Sequence, residues 1–289
     1  MYKKHLLAAF LVLALVTMAC GVNFNLPVTE VKTGPKQTDE ISVPVPDTKS
    51  TIDLSLSFGA GELSVQPATQ DVLVSGTATY NVPDFKPIIE SSGSQVEIKQ
   101  GNLEINGIPN FGKNIKNEWD LKINTATPLN LNVKAGAYSG KYELGGLSLE
   151  NLDITDGASD VNVNFSEPNP SDMKEFSYNT GASNVTLEGL GNANFETMVF
   201  KGGAGSYRLA FDGEIKQDAV VSIESGISTV TIVVPKGVPT QVTFEGGLSS
   251  VQVFGDWTQA GDSYSMEGTG AKLTIIVKMG AGTLELRNK

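Results

Sequence analysis

One seven-residue phrase returns eight times along this chain, and it limits the fold more than any other feature. Written generally, it is Gly, then Ala, Ile or Leu, then usually Gly or Ser, one variable residue, and two apolar residues separated by a polar one. The copies begin at Gly59 (GAGELSV), Gly136 (GAYSGKYEL, two residues longer), Gly157 (GASDVNV), Gly181 (GASNVTL), Gly203 (GAGSYRL), Gly226 (GISTVTI), Gly247 (GLSSVQV) and Gly280 (GAGTLEL). From Gly136 to Gly247 the intervals are 21, 24, 22, 23 and 21 residues. Self-similarity at a fixed period marks a stacked-repeat architecture.

The phrase predicts its own local structure. Alternation at Val161, Val163 and Phe165, or at Val230, Ile232 and Val234, puts one face of a short strand into a core and the other into water. The small residues predict a corner, glycine because it takes positive φ at no steric cost, and Ala or Ser because they keep the bend narrow enough to stack. About 22 residues hold two strands of roughly five residues plus connections. The expected fold is therefore all-β, a single-stranded β-solenoid of stacked coils paired in parallel at roughly 4.8 Å. An antiparallel sandwich also has many short strands, but its hairpins recur every 8 to 12 residues or so, and Asn-Gly and Asp-Gly hairpin signals are few here.

The remaining segments organise around this array. Met1 to His5 is a short basic start, followed by an apolar run from Leu6 to Ala19 and the only cysteine, Cys20. That run is too short to span a bilayer comfortably and reads as an export signal, 1–19. A lone cysteine directly after such a run resembles the lipobox of bacterial lipoproteins, which predicts lipidation of Cys20. Ordinary cleavage after Ala19, with Thr17 and Ala19 as the small pair, is the rival. Residues 20–50 are rich in Pro, Thr, Lys and Asp and read as the lipidated Cys and a flexible tether, with an edge strand near Ile41 to Val45 as the alternative. The interval from Gly59 to Gly136 is too long for one coil, so 51–124 is expected to be an irregular β cap and 125–289 the solenoid. Between Gly247 and Gly280, Phe254 to Tyr264 reads as a hairpin insertion with Trp257 and Tyr264 covering the distal core.

Chemistry is narrowed mainly by what is missing. The single histidine is His5, in the leader, so the mature domain has neither His nor Cys beyond Cys20. This removes Ser-His-Asp and Cys-His nucleophiles and the usual zinc ligands. With 21 basic against 32 acidic residues and a net charge of −11, no nucleic-acid partner is expected. Asp153, Asp156 and Asp160, with Lys201 and Arg208, could in principle form a carboxylate-based polysaccharide site, but solvated outward positions explain them more simply. The segment Lys201 to Tyr207 approaches a calcium-binding glycine-rich repeat but carries Tyr207 where that motif requires Asp. Tyr138, Tyr142, Trp119 and Trp257 are candidates for a sugar-stacking surface or for filling the coil. No catalytic residue, cofactor or metal site is assigned.

The stretch LSFGAGELSV (Leu56 to Val65) followed by GTATYN (Gly76 to Asn81) carries a family resemblance, as does the ending GDW…Y…LTIIVKMGAGTLEL (Gly255 to Leu286). From about Thr51 to its end the chain resembles the bacterial toast-rack proteins, related to LiaF-like domains of the cell-wall-antibiotic response and to domains named "putative adhesin". The resemblance implies a solenoid-like fold at the bacterial envelope and no established enzymatic activity. The expected function is a non-enzymatic envelope lipoprotein, exported and lipid-anchored on the extracytoplasmic face, with a scaffold, adhesion or protein-interaction role. Its expected partners are the membrane, through the lipid, and an envelope protein or polysaccharide. An envelope-stress sensor or regulatory partner is the alternative, and a carboxylate-based polysaccharide enzyme a third reading.

Overall fold

The structure, a computed structural model, describes residues 28–102, 108–110 and 114–289. The stretch expected as an export signal, 1–19, and Cys20 lie outside the described residues. In chain order the strands begin with β1 (Val28–Glu30), β2 (Gln37–Pro44), β3 (Ile52–Ala68), β4 (Val72–Tyr80), β5 (Pro87–Ser92) and β6 (Gln95–Gln100). They continue as β7 (Ile108–Asn110), β8 (Asn117–Asn124), β9 (Leu129–Glu143), β10 (Leu149–Thr155), β11 (Ala158–Asn164) and β12 (Met173–Glu188). The last are β13 (Phe195–Ala210), β14 (Ala219–Val234), β15 (Thr240–Phe254), β16 (Thr258–Ala260), β17 (Ser263–Met266) and β18 (Leu273–Asn288). Two short 3-10 turns, Pro83–Phe85 and Leu190–Ala193, are the only helical elements among the described residues. Among the described residues, a small unit holds β1 paired in parallel with β7, Val28 opposite Ile108.

All the repeats lie in the other unit, 33–102 and 115–289, which is a stack of parallel coils. Except at Gly157, where β10 and β11 are separate strands, each coil is one strand bent at its glycine rather than two strands joined by a loop. Pairing between β12 and β13 runs from Met173 opposite Phe195 through Thr180 opposite Gly202, and resumes at Ala182 opposite Ala204. The order along the stack is β3, β9, the broken strand β10–β11, β12, β13, β14, β18 and β15. Sequence order therefore fails at the last step, because the C-terminal strand β18 inserts between β14 and β15. Burial explains the preference. In the interior position the apolar LTIIV and TLEL arms of β18 bury Leu273, Ile275, Val277, Leu284 and Leu286 completely, whereas the more polar β15 tolerates the end.

Like residues form columns through the core. Leu54, Leu131, Leu152, Phe176, Met198, Val221, Ile275 and Val242 stand in register on one arm. On the other arm the column is Leu63, Gly140, Val161, Val185, Tyr207, Val230, Leu284 and Val251. This register corrects the reading of the second copy. It is not two residues longer: Gly140 occupies the place of Leu63, and Tyr142 that of Val65. The missing side chain at Gly140 makes room for two rings, since a Cβ there would lie 2.7 Å from both Tyr138 and Tyr142.

The eight glycines, Gly59, Gly136, Gly157, Gly181, Gly203, Gly226, Gly280 and Gly247, line up at the bend for a reason other than the expected one. None of them has positive φ; that conformation falls two residues later, at Gly61, Gly205 and Gly282. The glycines are needed because the backbones stack. A Cβ on Gly203 would lie 2.5 Å from the carbonyl oxygen of Gly181, one on Gly226 2.7 Å from that of Gly203, and those on Gly136 and Gly181 closer still to the preceding glycine. The amide nitrogens of Gly157 and Gly181 donate along the same line, each 3.1 Å from the preceding glycine oxygen.

The first end of the stack is closed on both arms. Strand β6 pairs with the first arm of β3 and β5 covers β6, while β8, β4 and β2 follow on the second arm. The stretch expected as a tether, 20–50, thus contains an edge strand, β2, with Ile41 and Val43 buried. Nor does a boundary fall at 124, because β3 is the first coil of the same stack. At the far end, β17 pairs antiparallel with Thr240 to Thr243 of β15, and β16 with β17. Tyr264 is buried there and Trp257 packs on the core.

Candidate functional site

Two register positions immediately precede each bend glycine. The residue two before the glycine points outward, giving the column Ser57, Lys134, Thr155, Asn179, Lys201, Glu224, Lys278 and Glu245. Its last four members alternate in sign. Neighbouring strands lie about 4.8 Å apart, so successive charges meet at that spacing. Lys278 and Glu245 form an exposed ion pair at 3.7 Å. These residues, with Asn179, Thr180 and Ser225, line a shallow groove of about 720 Å³ along the bend. It is an open, polar trough suited to an extended ligand rather than to enclosing a small molecule.

The residue directly before the glycine is buried in three coils, as Phe58, Asp156 and Met279. Asp156 is 7% exposed, and its carboxylate is ringed by hydroxyl donors. Tyr178 donates to Oδ2 at 2.7 Å and Tyr138 approaches the same oxygen at 3.5 Å. Ser159 donates to Oδ1 at 3.0 Å, Thr180 donates to Oδ1 as well, and Tyr142 donates to the Tyr138 hydroxyl at 3.0 Å. A buried carboxylate is tolerable when its lone pairs are satisfied in this way. Burial pushes the phenols of Tyr138, Tyr142 and Tyr178 far above their ordinary value, and the negative charge of Asp156 adds to the effect. The phenols are thus held as donors, and Asp156 is enclosed by them, out of reach of a substrate in solvent.

The acids singled out from the sequence do not come together in one cluster. Asp153 faces outward between Asn132 and Ser177, Asp156 is inside the bend, and Asp160 is exposed on the other arm between Ser139 and Asn184. Lys201 lies in the groove, while Arg208 is outward on the second arm of the same strand. No group of three or more His, Cys, Asp or Glu residues that could hold a metal occurs among the described residues. Tyr138, Tyr142 and Trp119 fill the interior, being 6%, 2% and 1% exposed. Sequence reasoning missed the Asp156 network. The available signal was the position itself, which elsewhere holds the buried Phe58 and Met279.

Residues 32–188 match the family described as "N-terminal domain of toast_rack, DUF2154", which is more than half of the 289 residues. The chain belongs to the toast-rack family. The toast-rack match ends with β12, yet the glycine line continues through the four coils beyond it in the same register. Among solved structures, a "putative cell adhesion protein" from Clostridium sporogenes is similar, with 19% identity over 88% of this chain and 100% of that one, at a TM-score of 0.50. A "putative adhesin" from Bacteroides fragilis shows 15% identity over 89% of this chain and 99% of that one, at a TM-score of 0.42. The first of these likenesses supports the toast-rack fold, not a shared activity. No curated protein matches the chain. Among the described residues, no helix is long and apolar enough to cross a membrane.

Proposed function

We propose that this chain is a non-enzymatic interaction module of the bacterial cell envelope, exported by its leader and held on the extracytoplasmic face by lipid at Cys20. The observation that carries the interaction role is the unbroken outward column beside the bend, which presents polar and charged groups at one regular spacing along the whole stack. An extended polysaccharide or polypeptide can follow such a row, making many weak contacts at once. Enclosure of Asp156 by hydroxyls supports the non-enzymatic reading, since the most buried of the candidate acids is occupied in holding the bend. The similar "putative cell adhesion protein" of Clostridium sporogenes is in keeping with this reading.

Two experiments test the two halves. Metabolic labelling with a fatty-acid analogue, followed by detergent partitioning, should mark the wild-type chain and leave Cys20→Ala unlabelled; unlabelled protein free outside the cell would remove the anchor. For the interaction, retention of the chain on immobilised envelope polysaccharides should drop several-fold when Lys201→Glu and Lys278→Glu turn the alternating row into a run of four acids. Turnover of any of these glycans would overturn the non-enzymatic reading.

A further inference from the structure

The stack is closed at one end and half open at the other. Beyond Thr243 the antiparallel hairpin no longer covers β15, so its second arm, Leu248 to Phe254, pairs with β18 on one side and with nothing on the other among the described residues. Val251, the last member of the second-arm column, and Val253, opposite Leu286, are incompletely covered there, and Val253 and Phe254 are 40% and 42% exposed. Leu248 is 87% exposed at the bend, one strand from Ala281 and two from Ile227, itself 71% exposed.

Other edges of this unit carry the devices that keep sheets from pairing with strangers. Strand β2 bears Asp39 and Glu40 and ends in Pro44, β5 begins with Pro87 and bears Glu90, and β16 is three residues long with Asp256 just before it. The free arm of β15 reads LSSVQVF: seven residues, no charge, no proline and no glycine, in a chain of net charge −11. Such a segment is built to pair.

The segment is also complementary to itself. Antiparallel pairing about Val251 would set Leu248 opposite Phe254, Ser249 opposite Val253, Ser250 opposite Gln252, and Val251 opposite its own copy. Apolar residues meet apolar or small ones, polar residues meet polar ones, inward faces stay inward, and no charge meets a like charge. Isologous contact of this kind is the commonest way for a chain to cover an open surface. We infer that the second arm of β15 is a homodimer interface, through which two copies join edge to edge about a two-fold axis at Val251 and continue one sheet across both molecules.

This holds or fails independently of the envelope role and is tested on the full chain. In a Cys20→Ala background, Val251→Cys should be converted by mild oxidation in cells to a species of twice the chain mass, because the two cysteines face each other across the axis. Ser206→Cys, exposed on the interior strand β13, should give none. Adding Ser250→Lys to Val251→Cys should abolish the crosslink while leaving the circular dichroism melt unchanged; Gln252→Lys should do the same and stands in if the first variant misfolds. Sedimentation of the purified full chain in detergent should give two copies per particle, and one copy with either lysine. Absence of the crosslink, equal crosslinking through Ser206→Cys, survival of the dimer with lysine at the edge, or a particle of one copy would each overturn the interface.

Discussion

Replacing Gly181 with Ala tests at a single atom why the bend is made of glycine. The added Cβ would collide with the carbonyl of Gly157, a backbone atom fixed by its own hydrogen bonds and unable to step aside. The expected cost is about 2–3 kcal/mol in urea denaturation. Gly59 is the matching control. It begins the line, and a Cβ there would meet only the Gln100 side chain at 3.0 Å, so Gly59→Ala should cost less than about 1 kcal/mol. Equal losses at the two sites would mean that conformational freedom, not stacking, selects the residue. The tyrosines around Asp156 make a second residue-scale prediction. Their phenols are raised above the ordinary 10.0, so the folded state keeps protons that the unfolded chain loses. Their contribution is fully present below pH 10 and is lost as pH rises further, with a slope of about 1.4 kcal/mol per unit for each phenol. Tyr80, pushed up to about 12 by burial and by its hydrogen bond to Asp39, adds to the same window. Urea melts between pH 8 and 11 should steepen in this sense, and Tyr178→Phe should reduce the slope.

At the scale of the strand, the repeat phrase was enough to name the bend, the parallel pairing and the inward residues, because each follows from local pattern and from the period. Three things escaped it. The φ of the bend glycines depends on how one backbone lies on the next, which no single repeat reveals. The length of the Gly136 copy was misread because Gly140 stands at an apolar position, where only the neighbouring Tyr138 and Tyr142 show what fills the space. The exchange of β18 and β15 was invisible because both carry the phrase, and their order is decided by which buries more apolar surface. That exchange can be measured. Leu286 and Val253 stand in the same column on adjacent strands, but Leu286 is fully buried and Val253 is at the edge. Leu286→Ala should cost about 3 kcal/mol, and Val253→Ala less than about 1 kcal/mol, in the single-copy particle produced by Ser250→Lys. Sequence-order stacking would reverse the ranking.

For the whole molecule, the candidate site was legible only in part. Lys201 and the bend glycines were visible as sequence positions, but the row they form with Glu224, Lys278 and Glu245 exists only once register and strand order are known, since Lys278 reaches the row through the exchanged strand. The same continuity bears on how the protein holds together. The toast-rack match stops at residue 188, yet the stack has no seam there. Phe176, Tyr178 and Leu187 of β12 lie in register with Met198, Phe200 and Leu209 of β13, and Tyr178 stacks on Phe200 at 5.5 Å between ring centroids. Cutting after residue 188 would uncover three large apolar side chains that are now fully buried, at about 1.5–3 kcal/mol each, together with an entire strand edge. A fragment of residues 32–188 is therefore expected to aggregate or to lack a dispersed amide spectrum, although it carries the whole family match. In a stack where each coil is stabilised mainly by its neighbours, 33–102 and 115–289 should melt together. Calorimetry of the full chain should show the repeats unfolding in one transition, and a separate transition that Gly181→Ala leaves unmoved would show that the coils on the two sides of that glycine fold independently.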